Sequence, residues 1–494
     1  MIPELAMSQD TLIPLLHGIF VYYAVLHGLY ALLIVIGATQ LRRYHQGINV
    51  GDFRRIAESP LTLPFTVIIP AYNEAKVIVG TVEAALKLRY PEHEVIVVND
   101  GSSDETMQVL IERFNLRRVH RFGAKRLQTQ PVRGVYESFE HRHLLVVDKG
   151  NGQRADAINA AANYARYPLL CIMDADCIFE DDALLRAVRP FLRSRDVIAA
   201  GGIVRPANGL TVRDGRIQGF GLPRRMLPLV QAVEYLRSFQ WARLGLARLN
   251  SMLSISGAFM VVKKEVFMDM GGVDPDTITD DIEFTIRLYK YAYENSSRGR
   301  RLEVDYIPDP VCYTEVPETW RSYLSQRNRW QRGSMQALFR HWRMTFNPKY
   351  GLAGMFGMPF FILFEVFSAI VEGASYVLIF FAIAAGLATG QQVLVFILLA
   401  IVLGTFLSVA AVLLQERTRM RAATTRDLLR LLGAALVENL GYHQMHLLVR
   451  IGGTFDYLVR RRTDVGATER HGSYQDQDQT PPPPGTTHLA RAGS

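Results

Sequence analysis

Cysteine is scarce in this 494-residue sequence: Cys171, Cys177 and Cys312 are the only ones, and their spacing matches neither a zinc site nor a disulfide framework. The part of the chain that carries the cysteines is therefore placed in a reducing compartment, with each thiol read as a small buried apolar group. Aromatic RNA-binding motifs and zinc-finger spacings are also missing, so a formal net charge of +8 does not point to nucleic acid. The positive charge instead sits beside apolar runs, at Leu41-Arg42-Arg43 and Arg460-Arg461-Arg462, as on the cytoplasmic flanks of membrane segments. No lysine or arginine precedes the first apolar run and no small-residue cleavage site follows it, which argues for a retained anchor over a removable signal peptide. Internal repeats are absent as well, which sets aside repeat architectures.

That first run, residues 12–38, is nearly uncharged and exceeds the roughly 20 residues needed to cross a bilayer. Glu4 and Asp10 before it and Arg42 and Arg43 after it predict an outer N-terminus and a cytoplasmic place for the chain beyond residue 43. From Phe65 the pattern changes to short β-branched runs, FTVIIP, EVIVVN, LLVVD and LLCIMD, separated by helical stretches at residues 83–88 and 155–165. Runs this short, without strict polar alternation, suit parallel strands covered on both faces. The expected fold class is an open α/β sheet, with ligands beyond the carboxyl ends of the strands. Residues 117–142 break the rhythm, being basic and poor in apolar periodicity, and read as a solvated surface excursion.

Residues 351–388 are apolar but too long for one ordinary crossing, since a helix of that length would run about 57 Å. Residues 351–364 are expected along the interface, with a crossing from near Glu365, and Glu365 and Glu372 turned toward protein or a polar path. A second run, 392–414, ends in the basic stretch 416–421 and should return the chain to the cytoplasm. Residues 428–451, interrupted by Arg430, Glu438, His443, His446 and Arg450, fit either an interfacial helix or a polar third crossing. The implied organisation is an anchor at 1–45, an α/β domain at 46–345, interfacial and membrane helices at 346–460 and a disordered tail at 461–494.

Four groups of residues carry chemistry. Asp100 ends EVIVVN in the turn Asn99-Asp100-Gly101-Ser102-Ser103-Asp104, a place to meet a nucleotide but also ordinary turn chemistry. Asp174-Ala175-Asp176 ends the very apolar strand LLCIMD, where two hard carboxylates can hold Mg2+ or Mn2+ against a diphosphate or belong to an ordinary acidic loop. Asp280, Asp281 and Glu283 open a helical stretch after a Gly-rich turn, fitting either helix capping or a base for an acceptor hydroxyl. Gln326-Arg327-Asn328-Arg329-Trp330-Gln331-Arg332 offers guanidinium groups for phosphate and an indole for sugar stacking, or a basic helix resting on lipid headgroups.

In this order, and between membrane segments, FTVIIPAYNE, VVNDGSSDET, DAD, SGAF, TDD and QRNRW resemble the membrane-bound family-2 synthases of cellulose, chitin, hyaluronan and poly-β-1,6-N-acetylglucosamine. The resemblance covers residues 65–340 and implies a Rossmann-like GT-A catalytic fold with inverting transfer from a UDP-sugar. By it, Ala71, Tyr72, Glu74 and Asp100 surround the uridine, Lys149 lies near the nucleotide sugar, and Asp174 and Asp176 belong to the metal and diphosphate. Ser256, Gly257 and Ala258 lie beneath the acceptor end, Asp281 is the base, and Gln326, Arg329 and Trp330 hold the diphosphate and acceptor terminus. Two positions depart from the pattern. Asp280 stands where Glu is common, so Asp280 and Asp281 are both candidates, and Gln153 stands where a Lys is often found.

The resemblance implies a polysaccharide synthase of a bacterial inner membrane, with UDP-sugar, glycan acceptor and lipid bilayer as partners. The small number of membrane elements suggests an accessory export subunit or a second copy. N-acetylglucosamine is favoured over glucose through the similarity of Val316-Pro317-Glu318-Thr319 to poly-N-acetylglucosamine synthases. The rivals are transfer of one sugar to a lipid carrier and a non-catalytic nucleotide-sugar sensor.

Overall fold

The computed structural model describes residues 9–46, 53, 56–59, 62–213, 215–297, 300–416 and 424–464. Its strands are β1 (Phe65–Ala71), β2 (His93–Asp100), β3 (Leu116–Val119), β4 (Val132–Ser138), β5 (Leu144–Lys149), β6 (Leu169–Met173), β7 (Cys177–Phe179), β8 (Val197–Pro206), β9 (Thr211–Arg213), β10 (Arg216–Gly219), β11 (Phe259–Lys263) and β12 (Glu303–Thr314). All but β9 and β10 join one ten-stranded sheet in the order β3-β4-β5-β2-β1-β6-β11-β8-β12-β7. The four apolar runs form its centre, β5-β2-β1-β6, all parallel.

Every residue of β1 is buried, and alternation sends neighbours into different cores. Ile68 packs with Ala157 and Ile158 of the helix Gln153–Tyr164, whereas Val67 and Ile69 pack with Ile78 and Val82 of the helix Ile78–Leu86. Two covered faces explain why these strands read as unbroken apolar runs. The expected GT-A arrangement, a Rossmann-like α/β sheet, is the one that forms. Cys171, Cys177 and Cys312 are buried free thiols, as expected.

Residues 117–142 are a solvated loop only in part: 120–131 are irregular and mostly exposed, but strands flank them. These are β3 and β4, an antiparallel pair added to the edge of the sheet beside β5, with Leu116 opposite Ser138 and Val119 opposite Val135. An edge strand buries little, so Arg117 and Arg118 can stay exposed and no continuous apolar run betrays it. The connecting segment folds back on the helix Gln153–Tyr164, where Asn163 Oδ1 accepts from the Arg126 and Leu127 amides and Asp156 from the Gln130 amide.

Among the described residues two helices are long and apolar enough to cross a membrane, Ile13–Tyr44 and Gly390–Leu414, and Ala353–Val366 with Ser368–Ala384 forms a bent pair at 44°. The bend falls at Phe367 (φ −88°, ψ −7°), two residues past Glu365, close to the predicted change of direction. Val21, Leu32, Val35, Phe380, Phe381, Leu394 and Phe406 are exposed large apolar groups on these helices, a surface suited to lipid. Glu372 is buried against protein, its Oε2 paired with His443 Nε2 (2.8 Å), while Glu365 is exposed to the cavity between the helices, where its Oε1 accepts from Tyr30 Oη (2.7 Å).

Residues 428–451 form neither single element foreseen. Thr425–Val437 and His443–Leu458 are separate helices broken at Leu440 and Gly441, the latter in the left-handed region at φ 99°. Their polar groups point inward. Glu438 meets Arg237 (2.7 Å) and Ser408 (2.6 Å), His446 Nδ1 meets Tyr323 Oη (2.8 Å), and Arg450 Nε donates to Gln331 (3.0 Å). The basic stretch 417–421 and residues 465–494 of the predicted tail lie outside the described residues.

One membrane-side element went unforeseen. Met226–Glu234, Tyr235–Ala242 and Arg243–Arg248 form a continuous helical stretch packed on the N-terminal helix Gln9–Gln46. A Cβ on Gly245 would stand 2.5 Å from Leu33 O, so only glycine permits this approach. The sheet domain is thereby joined to the anchor by side-by-side helices, not only by the chain between them.

Candidate active site

The parallel strands β1, β2 and β6 end on one edge, at Ala71, Asp100 and Met173, and the turns after them carry the predicted residues. Ala71 is buried, Tyr72 exposed and Glu74 half-buried. Asn73, in the left-handed region at φ 57°, accepts from the Ser103 amide (2.8 Å), tying the turn after β1 to the turn after β2. Asp100 is 2% exposed and its Oδ1 accepts from Lys149 Nζ (2.5 Å) and the Gly152 amide (3.0 Å). Burial nevertheless raises its carboxyl above the usual range. Gly101 has φ 67°, and a Cβ there would lie 2.7 Å from the Asn151 amide. Lys149 is fully enclosed, its Nζ shared among Asp100, Asp156 and Gly150 O, so it reaches a ligand only through the turn it fixes.

Arg154, at the start of the helix Gln153–Tyr164, ties the remaining groups together. Its Nε donates to Asp174 Oδ1 (2.8 Å), Nη1 to Asp280 Oδ2, and Nη2 to Gly257 O (2.7 Å). The Gly257 amide in turn donates to Asp281 Oδ2 (3.1 Å), while Asp281 Oδ1 accepts from the Ile282 amide (2.9 Å). Asp281 is pushed up to about 6 by burial and by Asp280 beside it, with Arg154 opposing the rise. Asp280 and Asp281 are thus chemically distinct: the first is ion-paired to a guanidinium, the second held by backbone amides. Arg154 was missed in the sequence, although it directly follows Gln153, the position read as having lost a cation.

Asp174 is half-buried and Asp176 buried at the turn after β6, which Thr81 fixes by donating to Ala175 O (2.6 Å). Ligand atoms of Asp174, Asp176 and Cys177 lie within 4.8 Å of one another. Burial raises the Cys177 thiol above its ordinary value, and its soft sulfur contrasts with the hard oxygens of the two aspartates. The donor set is therefore two hard carboxylates, which fits Mg2+ or Mn2+ completed by diphosphate oxygens and water.

Asp174, Asp280, Asp281 and Arg154 line one cavity of about 450 Å3 together with Ser256, Gly257, Ala258, Gln326, Arg329 and Trp330. Asp176, Asp100, Glu74 and Tyr72 do not line it; Asp100 connects through Gly152 and the start of the Arg154 helix. Gln326 Oε1 is a buried acceptor without a partner. From the carboxylates the cavity continues between the membrane helices to His27, Glu372 and Glu438.

The helix Trp320–His341 carries the last motif and buttresses the segment leading into Asp280 and Asp281. Gln336 accepts from the Ile278 amide (2.8 Å) and donates to Asp276 O (3.0 Å), while a Cβ on Gly333 would lie 2.7 Å from Thr279 Cβ. Gly333→Ala must therefore shift the segment leading into Asp280 and Asp281. We expect it to cost roughly 1–3 kcal/mol of stability, with a larger fractional loss of activity than of folded protein, read by thermal unfolding beside turnover.

A family model described as "Glycosyltransferase like family 2" matches residues 63–333, and one described as "Chitin synthase" matches residues 297–430. The poly-β-1,6-N-acetyl-D-glucosamine synthase of Staphylococcus epidermidis is 27% identical over 283 residues, 57% of this chain and 57% of that protein. The enzyme of the same name from Staphylococcus aureus strain COL is 27% identical over 285 residues, 58% of each chain. The matches thus span little more than half the length of these relatives. Among solved structures, a mannosyltransferase from Pyrobaculum calidifontis in complex with GDP-Man and Mn2+ aligns over 88% of this chain and 100% of its own, with TM-score 0.46 and 19% identity.

Proposed function

Because the chain belongs to the family-2 glycosyltransferases, we propose that it transfers sugar from a UDP-sugar, with inversion, to the end of a glycan that it extends at a bacterial inner membrane. The observation that carries this reading is the single cavity running from Asp281 past Trp330 to the polar groups between the membrane helices. An enzyme that releases each product needs no such path. One that retains a growing chain does.

In this reading Asp281 accepts the proton of the acceptor hydroxyl as its oxygen attacks the anomeric carbon, and UDP departs from the opposite face. The raised carboxyl suits the role, being ionised near neutrality yet basic enough to take a proton. Asp174 and Asp176 would hold Mg2+ or Mn2+, which supplies charge compensation for the leaving diphosphate. Arg329 adds fixed positive charge, Trp330 offers a stacking face to the terminal sugar, and Ser256 to Ala258 support the acceptor end. Ala71, Tyr72, Glu74 and Asp100 form the uridine side, and Lys149 fixes the turn beneath it. N-acetylglucosamine is the first sugar to test, given the names of the matched relatives, with glucose second. An export subunit or a second copy would complete the path across the bilayer.

The test uses the purified full chain in detergent with UDP-N-acetylglucosamine and with UDP-glucose. Metal-dependent UDP release with a long glycan product is expected, abolished by EDTA and restored by Mn2+. A lipid-linked monosaccharide as sole product would replace the polymer reading, and absence of UDP release from any UDP-sugar would leave a non-catalytic sensor.

A further inference from the structure

On the helix Trp320–His341, Gln326, Arg329 and Trp330 follow i, i+3, i+4 spacing and share the face that lines the cavity. Arg327 lies beside them, 4% exposed, and is held in a way that simple solvation of a basic helix does not explain. Its Nη1 donates to Glu234 Oε1 (2.7 Å) and its Nη2 to Glu234 Oε2 (2.9 Å), a two-point fork. Glu234 ends the helix Met226–Glu234, and Tyr442 Oη, from the broken membrane-side segment, donates to its Oε2 (2.6 Å). The guanidinium carbon stands 4.4 Å from the Trp330 ring centroid and 5.1 Å from that of Tyr323, whose hydroxyl meets His446 Nδ1 at 2.8 Å. Three elements distant in sequence thus converge on one cation, and that cation packs on the indole.

We propose that the Glu234–Arg327 pair is the positioning device that fixes Trp330 against the end of the glycan and thereby sets how long a product remains bound. A buried ion pair is a poor source of stability, since an apolar pair of the same volume often serves as well or better. What it supplies here is orientation: two hydrogen bonds to one carboxylate limit the twist of the guanidinium, and with it the contact that its carbon makes 4.4 Å from the Trp330 ring centroid. Arg327 and Glu234 act through Trp330 and are positioning residues. This inference rests on the polymer-forming reading given above.

The test compares wild type, Arg327→Lys, and the double variant Glu234→Leu with Arg327→Met, which keeps volume while removing both charges. Product length on a gel, UDP release, and KM for UDP-N-acetylglucosamine and for an N-acetylglucosamine oligosaccharide are measured together with the melting temperature. Both variants are expected to shorten the product several-fold and raise the oligosaccharide KM, with donor KM as in wild type. The double variant is expected to melt no lower than wild type. Unchanged product length in both variants, whatever their melting temperatures, overturns the inference and leaves the pair purely structural. If wild type itself forms only a monosaccharide adduct, the polymer reading fails and the inference with it; polymer from wild type with unaltered variants sinks the inference alone.

Discussion

Asp281→Asn should lower sugar transfer by roughly 10² to 10⁴-fold, the usual contribution of a positioned general base, while donor binding persists. The amide oxygen of Asn can still accept from the Gly257 amide, as Asp281 Oδ2 does at 3.1 Å, so the loop should keep its place. It cannot take a proton. The wild-type rate should also report the state of this carboxyl: with its titration pushed up to about 6, the base is neutral and inactive below that pH and ionised above it. Transfer therefore rises with pH through about 6 and levels off toward neutrality, and the limb should vanish from the residual activity of the Asn variant. Asp280→Asn is the control for the exchange of roles left open by the sequence. Removing that neighbouring charge should lower the Asp281 titration and move the limb to more acid pH, with activity retained above it. Near-normal radiolabelled transfer by the Asp281 variant, or loss of the base function only in the Asp280 variant, would reverse the assignment.

Asp174 and Asp176 could be singled out in sequence because they end a very apolar strand, where unused carboxylates are costly, and Asp100 because it ends a strand in a glycine turn; Asp281, which opens a helix, was assigned through the family resemblance. Strands β1, β2, β5 and β6 were legible for a related reason: burial on both faces leaves an unbroken β-branched run. The antiparallel pair of edge strand β3 and its neighbour β4 was not legible, because the exposed side of β3 accepts arginine freely and β4 is only partly buried. The helical stretch from Met226 to Arg248 escaped notice since its partners are helices near the chain ends, and Gly37 or Gly245 shows its purpose only when Leu33 or Trp241 is seen against it. The polar positions within 428–451 could not be sorted by composition alone. Whether Glu438 or His446 faces water, headgroups or protein depends on partners some 200 and 123 residues away, Arg237 and Tyr323. The most consequential omission was Arg154, one arginine among many, whose three partners lie 20, 126 and 103 positions along the chain.

Arg154→Met should be the second most damaging change at the site, and its signature differs from that of Asp281→Asn. Arg154 touches Asp174, Asp280 and the carbonyl of Gly257, whose own amide donates to Asp281, so three groups lose their common anchor together. Losing one preorganised cationic donor of this kind typically costs about 10² to 10³-fold in turnover. The electrostatic consequence has a definite sign. Because Arg154 opposes the rise of the Asp281 carboxyl, its removal lets burial and Asp280 push that carboxyl higher still, and the acid limb moves to higher pH. Part of the lost rate should then return on raising the pH, which no amount of alkali can achieve for Asp281→Asn. Asp174, no longer shared with a guanidinium at 2.8 Å, becomes a freer ligand, so less Mn2+ should be needed for half-maximal activity even as the maximum falls. Arg154→Lys should lie between: it restores the charge, but a single ammonium cannot make the fork that reaches both carboxylates and Gly257 O at once. pH profiles of kcat and Mn2+ titrations on the three proteins decide the matter. A Met variant with wild-type turnover, or with an unmoved acid limb, would show that Arg154 only packs beside the base and does not hold it.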